Sequence, residues 1–303
     1  MLNRRFGIEI EFNPLDNKIS EGNSLPLGIF DIAEILKNEL NEKIYVCGWH
    51  TTINNDYWLV KPDSSCGFEI CTPILKGLKS LEKVRSVIKS VRKYNKIKSD
   101  RRCSFHVHFE LQSTQTNYLA NIILWWIRCE LFFFLMIPNY RKESNYSQVL
   151  SLSPLFFDNQ VQGFDFILND ILVNHIKEYK FYSINLYHFK KSNRKTMEFR
   201  IMDSSACSNE DYAYYWVLLL DRFLECCDKN NLVFDDKIQK DQFRWLTIEE
   251  VFSFLKLSKN NILFKFCKSR IYNYSLDKND LKMNVFDNIF NSYYESIKKY
   301  FEI

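Results

Sequence analysis

Apolar and polar residues alternate over residues 6 to 12, FGIEIEF. On an extended chain Phe6, Ile8, Ile10 and Phe12 share one side, with Gly7, Glu9 and Glu11 on the other. This predicts a strand with one buried face and one carrying two carboxylates about 7 Å apart, two strand rises. The same period recurs further along. Residues 67 to 72 set Phe68 and Ile70 against Gly67, Glu69 and Cys71. Residues 104 to 110 set Phe105, Val107 and Phe109 against Ser104, His106, His108 and Glu110, and residues 196 to 202 set Met197, Phe199 and Ile201 against Thr196, Glu198 and Arg200. A face that only meets solvent is expected to mix Lys, Thr, Ser and Gln. These faces carry Glu, His and Arg, types that ligate metals and bind phosphate.

Elsewhere the period changes. Residues 28 to 41 place Ile29, Ile32, Ile35, Leu36 and Leu40 on one helical stripe. A short strand at 57 to 61 and the strand at 67 to 72, joined through Pro-Asp-Ser-Ser, read as a hairpin. Residues 78 to 94 form an amphipathic basic helix with a solvated face, 103 to 111 a strand, and 118 to 137 an apolar helix. A loop-rich stretch covers 138 to 164, with a helix at 165 to 178, strands at 181 to 188 and 195 to 203, and a long helix at 210 to 227. Residues 228 to 303, rich in Lys, Asn and Asp, read as helices only. The pattern predicts an α+β fold around a mostly antiparallel sheet. The expected organisation is a catalytic domain over 1–227 and a packed helical extension over 228–303.

Composition narrows the function. With 46% apolar and 16% aromatic residues the chain has material for a large core. It has seven glycines and neither a G-x-G-x-x-G nor a P-loop pattern. A net charge of +4 with no basic block gives no sign of a nucleic-acid partner. Nine cysteines without a C-x-x-C pair, behind an N-terminus with no secretory apolar run, suit free thiols in a reducing cytoplasm. The segment 118 to 138 is long enough to span a bilayer, but Arg128 and Glu130 at its centre would each cost roughly 2.5–3.5 kcal/mol there. A core helix, and no membrane partner, is the better reading. Carboxylates converging on one sheet face would repel unless a cation neutralised them, and oxygen ligands favour Mg²⁺ or Mn²⁺.

The order FGIEIEF, YWLVKPDSSCGFEICTPIL (57–75), CSFHVHFEL (103–111), IPNYRKESNY (137–146), SINLYHF (183–189) and TMEFRI (196–201) resembles the amidoligase family. That family belongs to the carboxylate–amine ligase superfamily, with glutamine synthetase and glutamate–cysteine ligase. The resemblance spans roughly residues 4 to 225. It implies a curved, mostly antiparallel sheet with helices on its outer face, and an ATP site with divalent metals on the concave face. Glu9 and Glu11 match the family's G-x-E-x-E strand, Asp63 and Glu69 its D-x-S…E segment, His106 and His108 its H-V-H strand, and Glu198 and Arg200 its E-F-R strand. By similarity to glutamine synthetase, Glu11, Asp63 and Glu69 would hold one metal and Glu9, His106 and Glu198 the other. Arg200 and Lys61 are the expected catalytic residues, Arg200 on the transferring phosphoryl group and Lys61 placing ATP or the substrate carboxylate, and His108, Arg200, Lys61 and Arg141 would contact ATP. Arg141, Asn145 and Tyr146 match the family's R-x-x-N-Y loop. Ser104-Phe105 stands where the family usually has Gly ahead of H-V-H.

The implied reaction is ATP-dependent amide formation through an acyl phosphate, from small-molecule or peptide carboxylate and amine substrates. A rival is a dinuclear metallohydrolase built on His106, His108 and the same acids; it usually needs more histidines than the five present. A catalytically dead binding module is a second rival, opposed by acids at every family metal position. A zinc site from Cys66, Cys71, Cys103 and His106 is chemically conceivable, but no close cysteine pair supports it. His50, His175 and His188 read as structural or surface residues, and Trp49 and Trp58 as core.

Overall fold

A computed structural model describes residues 2–15, 28–48, 56–142, 144–145, 147–150, 176–177, 181–187, 189, 195–233, 244–275 and 299–301. The expected helix at 165 to 178 lies almost wholly outside these residues, as do Tyr146, His50, His175, His188 and Trp49. The chain divides into two compact units, residues 1–111 with 196–218, and residues 112–195 with 219–303.

The first unit is built on an open mixed sheet. Its strands are β1 (Arg5–Pro14), β2 (Ile44–Val46), β3 (Trp58–Pro62), β4 (Phe68–Cys71), β5 (Leu75–Lys76), β6 (Ile97–Lys98) and β7 (Phe105–Glu110). Ile184–Asn185 in the second unit is β8, and Thr196–Phe199, back in the first, is β9. The order β2-β3-β4-β1-β7-β9 puts β1 inside the sheet, and β5 and β6 pair with its two ends. Among these strands β1 pairs antiparallel with β4, β5, β6 and β7, β3 with β4 and β7 with β9, whereas β2 runs parallel to β3. The α+β expectation therefore holds.

The alternation explains the layering. Phe6, Ile8, Ile10, Phe12, Val60, Phe68, Ile70, Phe105, Val107, Phe109, Met197 and Phe199 are all buried. Burying each side chain of this size stabilises by roughly 1.5–3 kcal/mol. Neighbouring strands add ring contacts, Phe6–Phe109 and Phe12–Phe68 with centroids 6.0 Å apart and Phe109–Phe199 at 6.2 Å. Trp58 is also buried, as expected. Helix α1 (Ile29–Leu40) buries Ile29, Ile32 and Leu36 and lies beside β2, β3 and helix α2 (Gly77–Val91). Two basic residues of α2 and the arginine that caps it make ion pairs: Lys83 with Glu42, Arg85 with Asp211 and Arg92 with Glu210, while Lys79 and Lys89 are exposed.

In the second unit the apolar segment forms α3 (Thr116–Leu135), long and apolar enough to cross a membrane, with 83% of its most apolar window buried inside the fold. Glu130 in its middle is fully buried; its Oε1 accepts the Leu150 N–H at 2.7 Å and the Ser183 hydroxyl at 2.5 Å. A short helix α4 (Asn139–Lys142) follows within the expected loop. The first unit then supplies α5 (Ser205–Ser208), and α6 (Glu210–Lys229) crosses the division between the units. The later helices are α7 (Ile248–Phe254) and α8 (Ile262–Ser275). A capping box closes the start of α7: Thr247 accepts the Glu250 N–H, and Glu250 accepts the Thr247 N–H.

Candidate metal and phosphate site

Register turns the polar faces into a grid. Opposite Glu9 on β1 stand Cys71 on β4 and His106 on β7. Opposite Glu11 stands Glu69, which in turn faces Lys61 on β3. His108 faces Gly7 on one side and Glu198 on the other. Four strand spacings separate β3 from β9, so this face is about 19 Å wide. Its acids lie in the middle, with Lys61 toward one edge and Arg200, just past β9, toward the other. Glu11, Glu69, His106 and Glu198 are buried, whereas Glu9 keeps 28% of its side chain exposed and opens the face to solvent.

The imidazoles sit among the carboxylates. His106 Nδ1 lies 3.2 Å from Glu9 Oε2 and 3.3 Å from Glu198 Oε1, and His108 Nε2 lies 3.3 Å from Glu9 Oε1. His106 Nε2 points toward Glu11 Oε1 at 3.8 Å, too far for a hydrogen bond, and is buried with no hydrogen-bond partner among the described residues. Arg200 pairs with Glu198, and Lys61 with Glu69.

Charge is unevenly shared. Burial would raise the Glu9 carboxyl, but His108 and His106 outweigh it and hold the group well below the usual range. Burial acts likewise on Glu198, where Arg200 and the two histidines bring the net shift downward. Burial and the Arg200 charge lower His106, whereas Glu9 and Glu198 overcome burial and raise His108. Glu69 is the exception. Burial and the Glu9 charge push its carboxyl up to about 7, even against Lys61. Lys61 itself is raised, because Glu69, Cys71 and Glu9 together outweigh its burial. One cation among several anions is favoured, while each additional anion is costly.

Among the described residues, three groups of donor atoms lie within 4.8 Å of one another: Glu9, His108 and Glu198; Glu9, Glu69 and Cys71; and Glu11, Asp63 and Cys66. Each is compact enough to ligate one cation, and the orphaned His106 Nε2 is the further sign that a ligand belongs on this face. The partitioning differs from the sequence expectation. Asp63 groups with Glu11, while Glu69 turns to Lys61, Glu9 and Cys71. Both histidines contact Glu9, and His108 rather than His106 completes a trio with Glu9 and Glu198. Cys71 was legible by its parity with Glu69. Cys66 was named only for its thiol, and its place beside Glu11 and Asp63 was not legible, because it reaches the acids through a turn. That turn is closed by Asp63 N–H to Gly67 O at 3.0 Å and Gly67 N–H to Asp63 O at 3.1 Å, with Asp63 Oδ1 accepting the Ser65 N–H at 2.7 Å. The disfavoured zinc cluster of Cys66, Cys71, Cys103 and His106 is not among the donor groups of the described residues. Arg141 is buried on α4 in the second unit, and Asn145 follows in an exposed turn.

A family model described as "Putative amidoligase enzyme" matches residues 2–219. None of the curated proteins matches the chain. Among solved structures, it is similar to a bifunctional glutathione synthetase from Pasteurella multocida, at 10% identity and a TM-score of 0.37, over 90% of this chain and 47% of that one. It is also similar to a novel glutamine synthase homolog, at 11% identity and a TM-score of 0.45, over 97% of this chain and 71% of that one. The chain thus spans about half the length of the glutathione synthetase.

Proposed function

The chain belongs to the amidoligase family, and on that footing we propose that it is an ATP-dependent carboxylate–amine ligase acting on the polar face of its sheet. The supporting observation is the grid itself: acids and imidazoles from β1, β4, β7 and β9 converge, flanked by Lys61 and Arg200.

In this reading Glu9 and Glu198, with His106 and His108 beside them, hold one divalent cation, and Glu11 and Asp63 the other, with Glu69 between. When bound, such cations screen the triphosphate and the charge that develops on the transferring phosphoryl group. The donor set fits them, because it is dominated by carboxylate oxygen. The chain's own residues do the positioning. Arg200 presents a planar fork, oriented by Glu198, that can take two phosphate oxygens at once. Lys61 supplies a point charge near the other edge, kept protonated by its acidic neighbours. The substrate carboxylate attacks the γ-phosphate, releasing ADP and leaving an acyl phosphate, and the amine then displaces phosphate to give the amide.

The test is product analysis by mass spectrometry with ATP, Mg²⁺ and pooled carboxylates and amines. ADP and phosphate should form only when both substrates are present, and excess EDTA should stop the reaction until Mg²⁺ or Mn²⁺ is restored. Full turnover without nucleotide, or in EDTA, overturns the proposal.

A further inference from the structure

Cys66 stands in the Asp63–Gly67 turn between β3 and β4 and is buried, at 3% exposure. Its Sγ lies 3.4 Å from Asp63 Oδ1 and 3.5 Å from Phe68 O, and one donor atom each from Cys66, Asp63 and Glu11 fall within 4.8 Å of one another. Glu11 Oε2 is held by the Ser104 N–H at 2.6 Å, which turns Oε1 toward the buried, partnerless His106 Nε2. One sulfur and two carboxylates therefore cluster, and beyond Glu11 stands the imidazole of His106, its Nε2 3.8 Å from Glu11 Oε1. The Glu9, Glu69 and Cys71 group also carries a thiol, but there Glu69 is paired with Lys61, and the Glu9, His108 and Glu198 group holds no sulfur. Hard cations such as Mg²⁺ take oxygen, whereas thiolate and imidazole favour Zn²⁺ and its softer congeners.

The geometry points to Cys66 as a ligand in the Glu11–Asp63 cation site, making that site selective for a borderline-soft divalent cation such as Zn²⁺ or Cd²⁺. This deepens the cation site of the proposed function without depending on the ligase reaction. Binding replaces the S–H bond with a metal–sulfur bond and releases the thiol proton to solvent. Zn²⁺ bound there competes with Mg²⁺ for Glu11 and Asp63, so Mg²⁺-supported turnover should be inhibited by Zn²⁺ in a Cys66-dependent way.

The experiment is a Cd²⁺ titration of the reduced, metal-free full chain without nucleotide, followed by the ultraviolet sulfur-to-cadmium charge-transfer band and by calorimetry. Wild type should show the band. Cys66→Ser, and Cys66→Ala, which buries no new hydroxyl, should lose it and bind Cd²⁺ at least about tenfold more weakly, a change of about 1.4 kcal/mol, with Mg²⁺ affinity nearly unchanged. Glu11→Gln should weaken Cd²⁺ binding as well. Cys71→Ser, and Cys103→Ser, whose thiol touches that of Cys66, should keep the band. No band in wild type, an undiminished band in both Cys66 variants, or a band lost only in Cys71→Ser would overturn the assignment. Loss of ligase activity would not bear on it.

Discussion

Glu69 is the acid whose removal should strengthen the metal-free protein. Its carboxyl is raised from the ordinary 4.5 to about 7 by burial and by Glu9. Between these values the folded protein keeps a proton that the unfolded chain has already released, so stability falls as pH rises through that window. Above about pH 7 both states are ionised and the whole penalty is felt. A rise of this size corresponds to about 3 kcal/mol at 1.36 kcal/mol per pH unit. Gln resembles the protonated acid in shape and hydrogen bonding, so Glu69→Gln removes the penalty while leaving Lys61 the Glu9 carboxylate as an anionic neighbour. In EDTA, urea unfolding should find the variant more stable than wild type by up to about 3 kcal/mol at pH 8, with the gap closing toward pH 5. Glu9→Gln should shift the opposite way near neutrality, because Glu9 is held ionised by His108 and His106 despite its burial. Added Mg²⁺ or Mn²⁺ should stabilise wild type more than Glu69→Gln, since a cation bound only to the folded state stabilises it according to its affinity. A gap that does not change between pH 5 and pH 8, or a metal-free variant weaker than wild type at pH 8, would refute this account of the charge distribution.

Arg200→Lys keeps the charge and loses the fork, so turnover should fall on the order of a hundredfold with ATP affinity little changed; a near-normal rate would remove Arg200 from the phosphoryl contact. Gly67 has φ +145°, and a Cβ there would meet Pro14 Cδ at 2.6 Å and Phe12 O at 3.3 Å. Gly67→Ala should cost about 1–3 kcal/mol and weaken cation binding through the turn that carries Asp63 and Cys66, and unchanged melting would count against the turn geometry. Glu130→Leu leaves the Leu150 N–H and the Ser183 hydroxyl without their shared acceptor. A loss of about 2–5 kcal/mol is expected, with Glu130→Gln much milder; equal melting of the two would show that packing rather than hydrogen bonding decides there.

The polar face was legible because a strand's side chains alternate whatever the strand pairs with: Glu9, Glu69, His106 and Glu198 were each assigned to that face from their own segment. What the sequence lacked was register. Nothing within residues 67–72 says that Glu69 stands opposite Glu11 and Lys61 while Cys71 stands opposite Glu9, yet this decides which acids carry the surplus charge. Ile44–Val46 and Leu75–Lys76 were missed because two or three residues carry no measurable period, and strands at 181–188 and 195–203 shrink to Ile184–Asn185 and Thr196–Phe199 among the described residues. Ser104 is paired to Asp203 by an isolated bridge, so pairing continues past β9 without extending it. Cys66 was named for its thiol, but its grouping with Glu11 and Asp63 was out of reach for a third reason: turns carry no facing rule, and only the closed Asp63–Gly67 geometry brings its sulfur to Glu11.

The interior position of β1 sets an order of events during synthesis. Glu9 emerges 97 residues before His106, its partner on β7. At about 5–20 residues per second, that is roughly 5–20 s in which β1 can meet β4 and the β3–β4 hairpin but not the histidines. The strand that brings Glu198 arrives later still, across most of the second unit's first segment. Until then β7 has a row of backbone donors and acceptors facing outward beside His106 and His108, an edge open to pairing with other chains. Fragments that stop between residues 111 and 196 should therefore aggregate more readily than the full chain. The residue that completes the acidic grid is also the one whose strand closes that edge.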